Sequence, residues 1–271
     1  MNFLCTTYSV SRSGYYAWRS RADSPRSIEN KALVKQIQRI HDKSHGIYGS
    51  PRITAVLRHQ GYAYSENRIA RLMQENGIVG RIHNVYWCNT KLQKFYKKTN
   101  NKRMITAEPT KINQVWVGDV TYIRHQKRWW YLAVVMDVYS RKVVGWALGQ
   151  KRTVDLTLKA LRNAIYRRQP KSGLIFHSDR GVEYASYRYQ DVLDKYGIHA
   201  SMNRPGHCTD NAHMESFFHS LKGEWIRGHK YTTVKSLRQA IKDYIVCFYN
   251  RIRLHSSLDY QSPEEFERLV A

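Results

Sequence analysis

Val115-Trp116-Val117-Gly118-Asp119-Val120-Thr121-Tyr122-Ile123 is rich in β-branched and aromatic residues and reads as a buried strand. One carboxylate, Asp119, stands inside it, where burial costs free energy unless a cation or hydrogen-bonding partner compensates. Two similar runs follow, over 131–138 and 143–148, so the stretch opens a set of three successive strands. A helix over 156–166 and a short buried strand at Leu174-Ile175-Phe176 come next. A helix over 186–196, a strand over 198–202 and a long helix from 211 complete the series. Three strands followed by alternating helix and strand predict an α/β domain with a mixed sheet.

Upstream, the pattern is helical. Leu33, Val34, Ile37 and Ile40 recur near helical spacing over 29–42. Ser50 suits a helix cap and Pro51 a first turn, with Ile53, Val56 and Leu57 on the apolar face before Gly61. Ser65 caps a second helix whose core face is Ile69, Leu72 and Met73, ending at Gly77. Two short helices joined by a tight turn outline a helix-turn-helix, with Arg68, Arg71 and Gln74 on the polar face as candidate DNA readers. The alternative is a small helical bundle with a solvated basic face. Residues 76–107 contain no acid but carry Lys97, Lys98 and five further Lys or Arg. They read as a basic linker that lies along phosphates. The expected division is therefore a helical DNA-binding region over 1–85, a basic linker over 86–110 and a catalytic core over 111–271.

Charge narrows the partners. The 271 residues hold 45 Lys and Arg against 21 Asp and Glu, a formal net charge of +24. Residues 1–110 carry 19 basic and 6 acidic residues, and the rest carry 26 and 15, so the excess is not confined to one tail. Nucleic acid is the expected polyanion, because each phosphate neutralised by Lys or Arg releases counterions. An anionic membrane surface is the rival, but no apolar run is long enough to span a bilayer, and Met1-Asn2-Phe3-Leu4-Cys5, leading into Thr, Tyr and Ser, does not read as a signal-peptide start. A soluble, cytoplasmic and nucleoid-associated protein is expected. Cys5, Cys88, Cys208 and Cys247 form no C-x-x-C pair, which disfavours a disulfide framework or a zinc site. His41 and His45 could share a helix face, yet no third ligand stands beside them.

Three acids have settings that suit a metal site. Asp119 interrupts an apolar strand, Asp179 follows one directly in His177-Ser178-Asp179-Arg180-Gly181, and Glu215 stands beside the apolar stripe of the helix from 211. His219 and Lys222, four and seven residues on, share its face and are candidate DNA contacts. Strand carboxyl ends are where α/β sheets bind ligands. In-line phosphodiester transfer needs an activated oxygen nucleophile and a stabilised leaving oxygen, which two Mg²⁺ ions held by hard carboxylate ligands supply. Each acid alone is as well explained by an ordinary strand end or helix surface. His177 and Asp210, the latter also a natural helix cap, are expected to hydrogen-bond around the ligands. Glu183 is a weaker candidate ligand, Asp137 is expected to be structural, and Trp116, Trp129, Trp130 and Trp146 to fill the sheet core.

The spacing is more specific. Thirty-five residues separate Asp179 from Glu215, and Lys222 trails by seven. This is similar to the D-D-35-E pattern of retroviral integrases and integrase-like transposases. The words around the acids, from Asn113 through Ile123, His177 through Tyr184 and Asp210 through Phe218, resemble motifs of the insertion sequence 3 transposase family. So do Tyr249-Asn250-Arg251-Ile252-Arg253-Leu254-His255 near the end, and Val10-Ser11-Arg12-Ser13-Gly14-Tyr15-Tyr16 and Tyr48-Gly49-Ser50-Pro51-Arg52 near the start. Asn203 departs from the pattern, which more often has Ser there. The resemblance implies a ribonuclease-H-like core flanked by helices, preceded by a small all-α helix-turn-helix-like domain. It implies DDE-type cleavage and strand transfer at the ends of a bacterial insertion sequence, with Asp119, Asp179 and Glu215 binding Mg²⁺ and Mn²⁺ able to substitute. Expected partners are double-stranded DNA at the terminal inverted repeats and at the target, further copies of the chain at synapsis, and an upstream-frame (OrfA) product. The chain resembles the second-frame (OrfB) product, so part of end recognition is expected on another segment. A DNA-binding regulator without catalysis and a nuclease that never joins strands are the competing readings.

Overall fold

The computed structural model describes residue 5 and residues 7–81, 108–202 and 212–270. They divide into two compact units, Met1–Arg81 and Ile82–Ala271.

In the first unit, α1 (Arg12–Ser20) is capped by Ser11, whose hydroxyl accepts from the Gly14 amide at 3.0 Å, and buries none of its residues. Helix α2 (Pro25–Lys43) starts at Ser24 with proline in its first turn, where the missing N–H costs nothing, and buries Leu33, Ile37 and Ile40. Helices α3 (Ser50–His59) and α4 (Glu66–Glu75) are the pair anticipated from the punctuation. Gly49, not Ser50, takes the cap position of α3, without a side-chain bond, so the helix begins one residue earlier than the capping pattern suggests. Ser65 does cap α4, accepting from the Arg68 amide at 3.3 Å. Gly61 and Gly77, at φ +88° and +65°, end the two helices in the left-handed conformation glycine adopts cheaply. Ile53, Leu57, Ile69, Leu72 and Met73 close the core against α2.

The second unit is built on a five-stranded mixed sheet. Strands β1 (Val115–His125), β2 (Arg128–Asp137) and β3 (Val143–Gly149) form an antiparallel meander, and β4 (Ile175–Ser178) and β5 (His199–Met202) add in parallel, in the order β3-β2-β1-β4-β5. Gln126 and Lys127, both at positive φ, make the β1–β2 turn. Helix α5 (Val154–Arg168) covers β2 and β3 with Leu158, Leu161 and Ala164. It comes so close that a Cβ on Gly145 would stand 2.3 Å from the Ala160 carbonyl. The short α6 (Val182–Ala185) and α7 (Tyr187–Lys195) follow β4, and Tyr184 and Tyr189 pack against Phe176 of β4. Trp116 and Trp130 are buried as the sequence suggests, and Trp146 is partly covered. Trp129 is 49% exposed, which corrects its expected place in the core: it is the second residue of β2, beside the turn, with Arg124 and Tyr122 as its neighbours.

The long helix expected from 211 is α8 (Ala212–Leu221) continued by a π-helical turn, Lys222–Ile226. Helix α9 (Val234–Lys242), closed by the Thr233–Ser236 capping box, runs into a second π-helical stretch, Asp243–Tyr249. Phe217, Trp225, Tyr244, Phe248 and Tyr249 interlock in an aromatic cluster, and the Arg253 guanidinium is buried on Glu224. The last helix, α10 (Pro263–Val270), is fastened through Glu267, which accepts from Ser140 at 2.7 Å, Lys142 at 2.9 Å and Arg168. Among the described residues no helix is long and apolar enough to cross a membrane.

Candidate active site

Strands β1 and β4 run side by side with Gly118 opposite Ser178, so Asp119 and Asp179 each stand one residue beyond a paired position. Parallel pairing therefore brings to one sheet edge two acids 60 positions apart in the chain. Gly118 makes the approach possible, since a Cβ there would lie 2.4 Å from the Phe176 ring. Asp119 is half-buried, and its Oδ1 accepts from the Val120 amide at 2.6 Å. Desolvation first, and the Asp179 charge second, push its carboxyl up to about 8. Asp179, also half-buried, is raised chiefly by desolvation, against the pull of the Gly181 amide at 3.0 Å and of Arg152.

Helix α8 packs against β1 and carries Glu215 on its exposed side. The Glu215 charge also acts, more weakly, to raise the Asp119 carboxyl. Among the described residues no three His, Cys, Asp or Glu side chains stand close enough to enclose a metal ion. The structure thus brings Asp119 and Asp179 together and leaves Glu215 within electrostatic range. A divalent ion fits this donor set: oxygen ligands only, and two desolvated carboxylates whose mutual repulsion a cation would relieve.

Lys222 lies on the same side, with its ammonium 4.5 Å from the centre of the Tyr122 ring. Burial and the neighbouring Arg227 lower its affinity for a proton, while Asp119 raises it. His219 is exposed one turn before it. His177 is fully buried and meets the Ser201 hydroxyl of β5 at 2.9 Å. Asp137 is enclosed by the amides of Asn113, Tyr139 and Ser140, a structural setting.

Arg152, which the sequence reading did not single out, is the principal addition. Its guanidinium pairs with the buried Glu183 and stands 3.7 Å from Asp179 Oδ2. Glu183, weighed above as a ligand, is thereby committed to an arginine. The three groups converge over Gly181, where a Cβ would lie 2.8 Å from Glu183, 2.9 Å from Asp179 and 3.1 Å from Arg152. A lone arginine in a loop between strand and helix has no periodic or spacing signal, so only the fold could reveal it.

In the first unit, Arg68 forks onto Glu29 and Asn30 at 2.7 Å each and stacks over Tyr64, tying α4 to α2. Arg71 and Gln74 are exposed, with Arg71 3.8 Å from Glu75. Lys97, Lys98, Asp210 and Asn203 lie outside the described residues.

Comparison with known proteins identifies the family of each unit. The Integrase core domain family matches residues 109–208 and, in a second part, 215–269, and the HTH-like domain family matches 28–86. The chain is 37% identical over 272 residues to the Insertion element IS600 uncharacterized 31 kDa protein of Shigella sonnei, covering 97% of each. It is 35% identical over 266 residues to Transposase InsF for insertion sequence IS3A of Escherichia coli (strain K12), covering 97% of this chain and 92% of that one. A chain of the simian T-cell lymphotropic virus intasome, solved in complex with PP2A regulatory subunit B56 gamma, shares the fold at 16% identity and a TM-score of 0.50. That match covers 85% of this chain and 74% of the other. With more than a third of its residues shared over nearly its whole length, this chain belongs to the IS3 family of transposases and carries their integrase core domain.

Proposed function

We propose that this protein is a DDE transposase that cleaves the ends of a bacterial insertion sequence and joins them to target DNA. The observation that carries the reading is the pairing of Asp119 and Asp179 on adjacent strand ends, with the Glu215 helix packed against the same strand. The exposed acid of α8 is the natural third ligand once a cation draws the carboxylates together. Magnesium held by Asp119, Asp179 and Glu215, with manganese as a substitute, would activate the attacking oxygen and stabilise the leaving one. Lys222 and His219, on the face of Glu215, are suited to hold a DNA phosphate beside the acids. Arg152 keeps a positive charge next to Asp179 while Glu183 holds it in place.

End recognition is assigned to residues 1–85, with Arg71 and Gln74 exposed for contact, and the basic linker of 86–110 to phosphates between the two regions. Terminal inverted repeats and target DNA are the substrates, in the cytoplasm at the nucleoid. Several copies are expected at synapsis, and the upstream-frame product of the element is the expected protein partner. The test is a joining assay on duplex element ends with Mg²⁺ or Mn²⁺. Nicking and joining that vanish in EDTA and in Asp119→Asn, Asp179→Asn and Glu215→Gln support the reading. Full activity in any of these would sink it, and cleavage without joining, even with a supplied 3′-hydroxyl, would make the protein a nuclease.

A further inference from the structure

We infer that Tyr122 and Trp129 form a stacking platform for an unpaired nucleobase at a DNA end, placed about three residues along β1 from Asp119. The two rings meet edge to face with centroids 5.1 Å apart, and both are about half exposed, at 52% and 49%. Both rings stand on inner strands of the sheet, β1 and β2, where most large apolar side chains are covered. Each ring also carries a cation: Lys222 lies 4.5 Å from the Tyr122 centroid, and Arg124 lies 5.7 Å from that of Trp129. Arg124 and Trp129 are direct cross-strand partners, so the ladder itself sets this pair.

The surroundings select nucleic acid as the occupant. From Val120 through Met136 the chain contains no acid, while Arg124 lies over Trp129 and Lys127 and Arg128 stand in the turn and strand start just before it. Aromatic faces interleaved with arginine and lysine accept a base by stacking and its phosphates by charge, which a second copy of a chain with net charge +24 would not satisfy. Position matters as well. Tyr122 follows Asp119 by three residues, about 10 Å at ~3.3 Å per residue, so its ring leaves the opposite face of β1. Lys222, which stands over that ring and within electrostatic range of Asp119, links the two. Beyond Gly118, the last β1 residue paired with β4, that side of β1 is open, so a strand end passing Lys222 from the acids reaches the ring, and the base it takes is one unpaired next to the reacting end. The inference rests on the proposed action at DNA ends for the identity of its ligand, but on no catalytic step.

The experiment is binding in EDTA to a duplex carrying 2-aminopurine at an unpaired terminal position, compared with a blunt duplex. Stacking quenches the 2-aminopurine on binding, and the frayed duplex binds more tightly than the blunt one. Trp129→Ala and Tyr122→Ala should remove the quenching and lower the frayed-to-blunt affinity ratio. A loss of roughly 5- to 150-fold corresponds to one stacked base. Trp129→Phe should restore much of it. Truncating half-exposed rings leaves the core in place, which a thermal melt of each variant checks; the Tyr122 variant serves if the Trp129 variant melts early. Unchanged quenching in both variants, an equal loss for both duplexes, or a change only in sedimentation would each overturn the proposal, the last by making the patch a contact between copies. Because metal is absent, a failed joining assay and a failed platform are separate results.

Discussion

At the scale of single residues, charge compensation separates groups that hold the fold from groups free to act. Glu183 is almost wholly buried and depends on Arg152. Arg152→Ala should destabilise the protein by about 3–5 kcal/mol, the cost of a stranded buried charge. Adding Glu183→Gln to it should recover part of that loss in urea melts. Arg68 and Arg71 stand on the same helix and look equivalent in sequence. The first is tied to Glu29 and Asn30, so Arg68→Ala is expected to lower the melting temperature, whereas Arg71→Ala should spare it and weaken DNA binding. Lys222→Ala should weaken duplex binding by a similar factor for every sequence and reduce the salt slope by about 1, as for one lost phosphate contact. A sequence-selective loss would instead make Lys222 a base reader.

At the scale of elements, close approach and buried ion pairs hold the layers. Gly145 lets α5 lie directly on β3. Gly145→Ala, although it favours the strand locally, is expected to cost about 1–3 kcal/mol through overpacking. At roughly 2–4 °C per kcal/mol for a unit of this size, a calorimetric melt resolves it. Helix α10 depends on Glu267, whose carboxyl is held below its ordinary value of 4.5 by Arg168, Lys142 and Ser140 despite its burial. A depressed folded-state value means stabilisation that is complete above the unfolded value and lost as the proton returns. The difference in melting temperature between wild type and Glu267→Gln should therefore be full at neutral pH and close as the pH falls below 4.5. A difference that stays constant into acid would remove the ionic account of this anchor.

At the scale of the whole molecule, charge and topology were legible to different degrees. The excess of basic residues predicts salt-sensitive binding: six to ten phosphate contacts would reduce affinity by about 10³- to 10⁵-fold between roughly 50 and 200 mM salt. Strand and helix types were readable because the periods of two and 3.6 are written locally by burial, as β1, α4 and α5 illustrate. Their ends were less so: α3 starts a residue early, and α8 passes into a π-helical turn that no periodicity marks. Asp119 and Asp179 stand out from the apolar strands around them, and the 35-residue spacing is what points to Glu215 as the proposed third acid. Residue types, local periods, net charge and family motifs are thus properties of the chain alone, since each depends on neighbours in sequence. Parallel pairing of β1 with β4, the commitment of Arg152 to Glu183 and Asp179, the diversion of Arg68 into the fold and the exposure of Trp129 were decided only in three dimensions. Each depends on which distant side chain arrives within a few ångströms, and that is set by packing rather than by any local pattern.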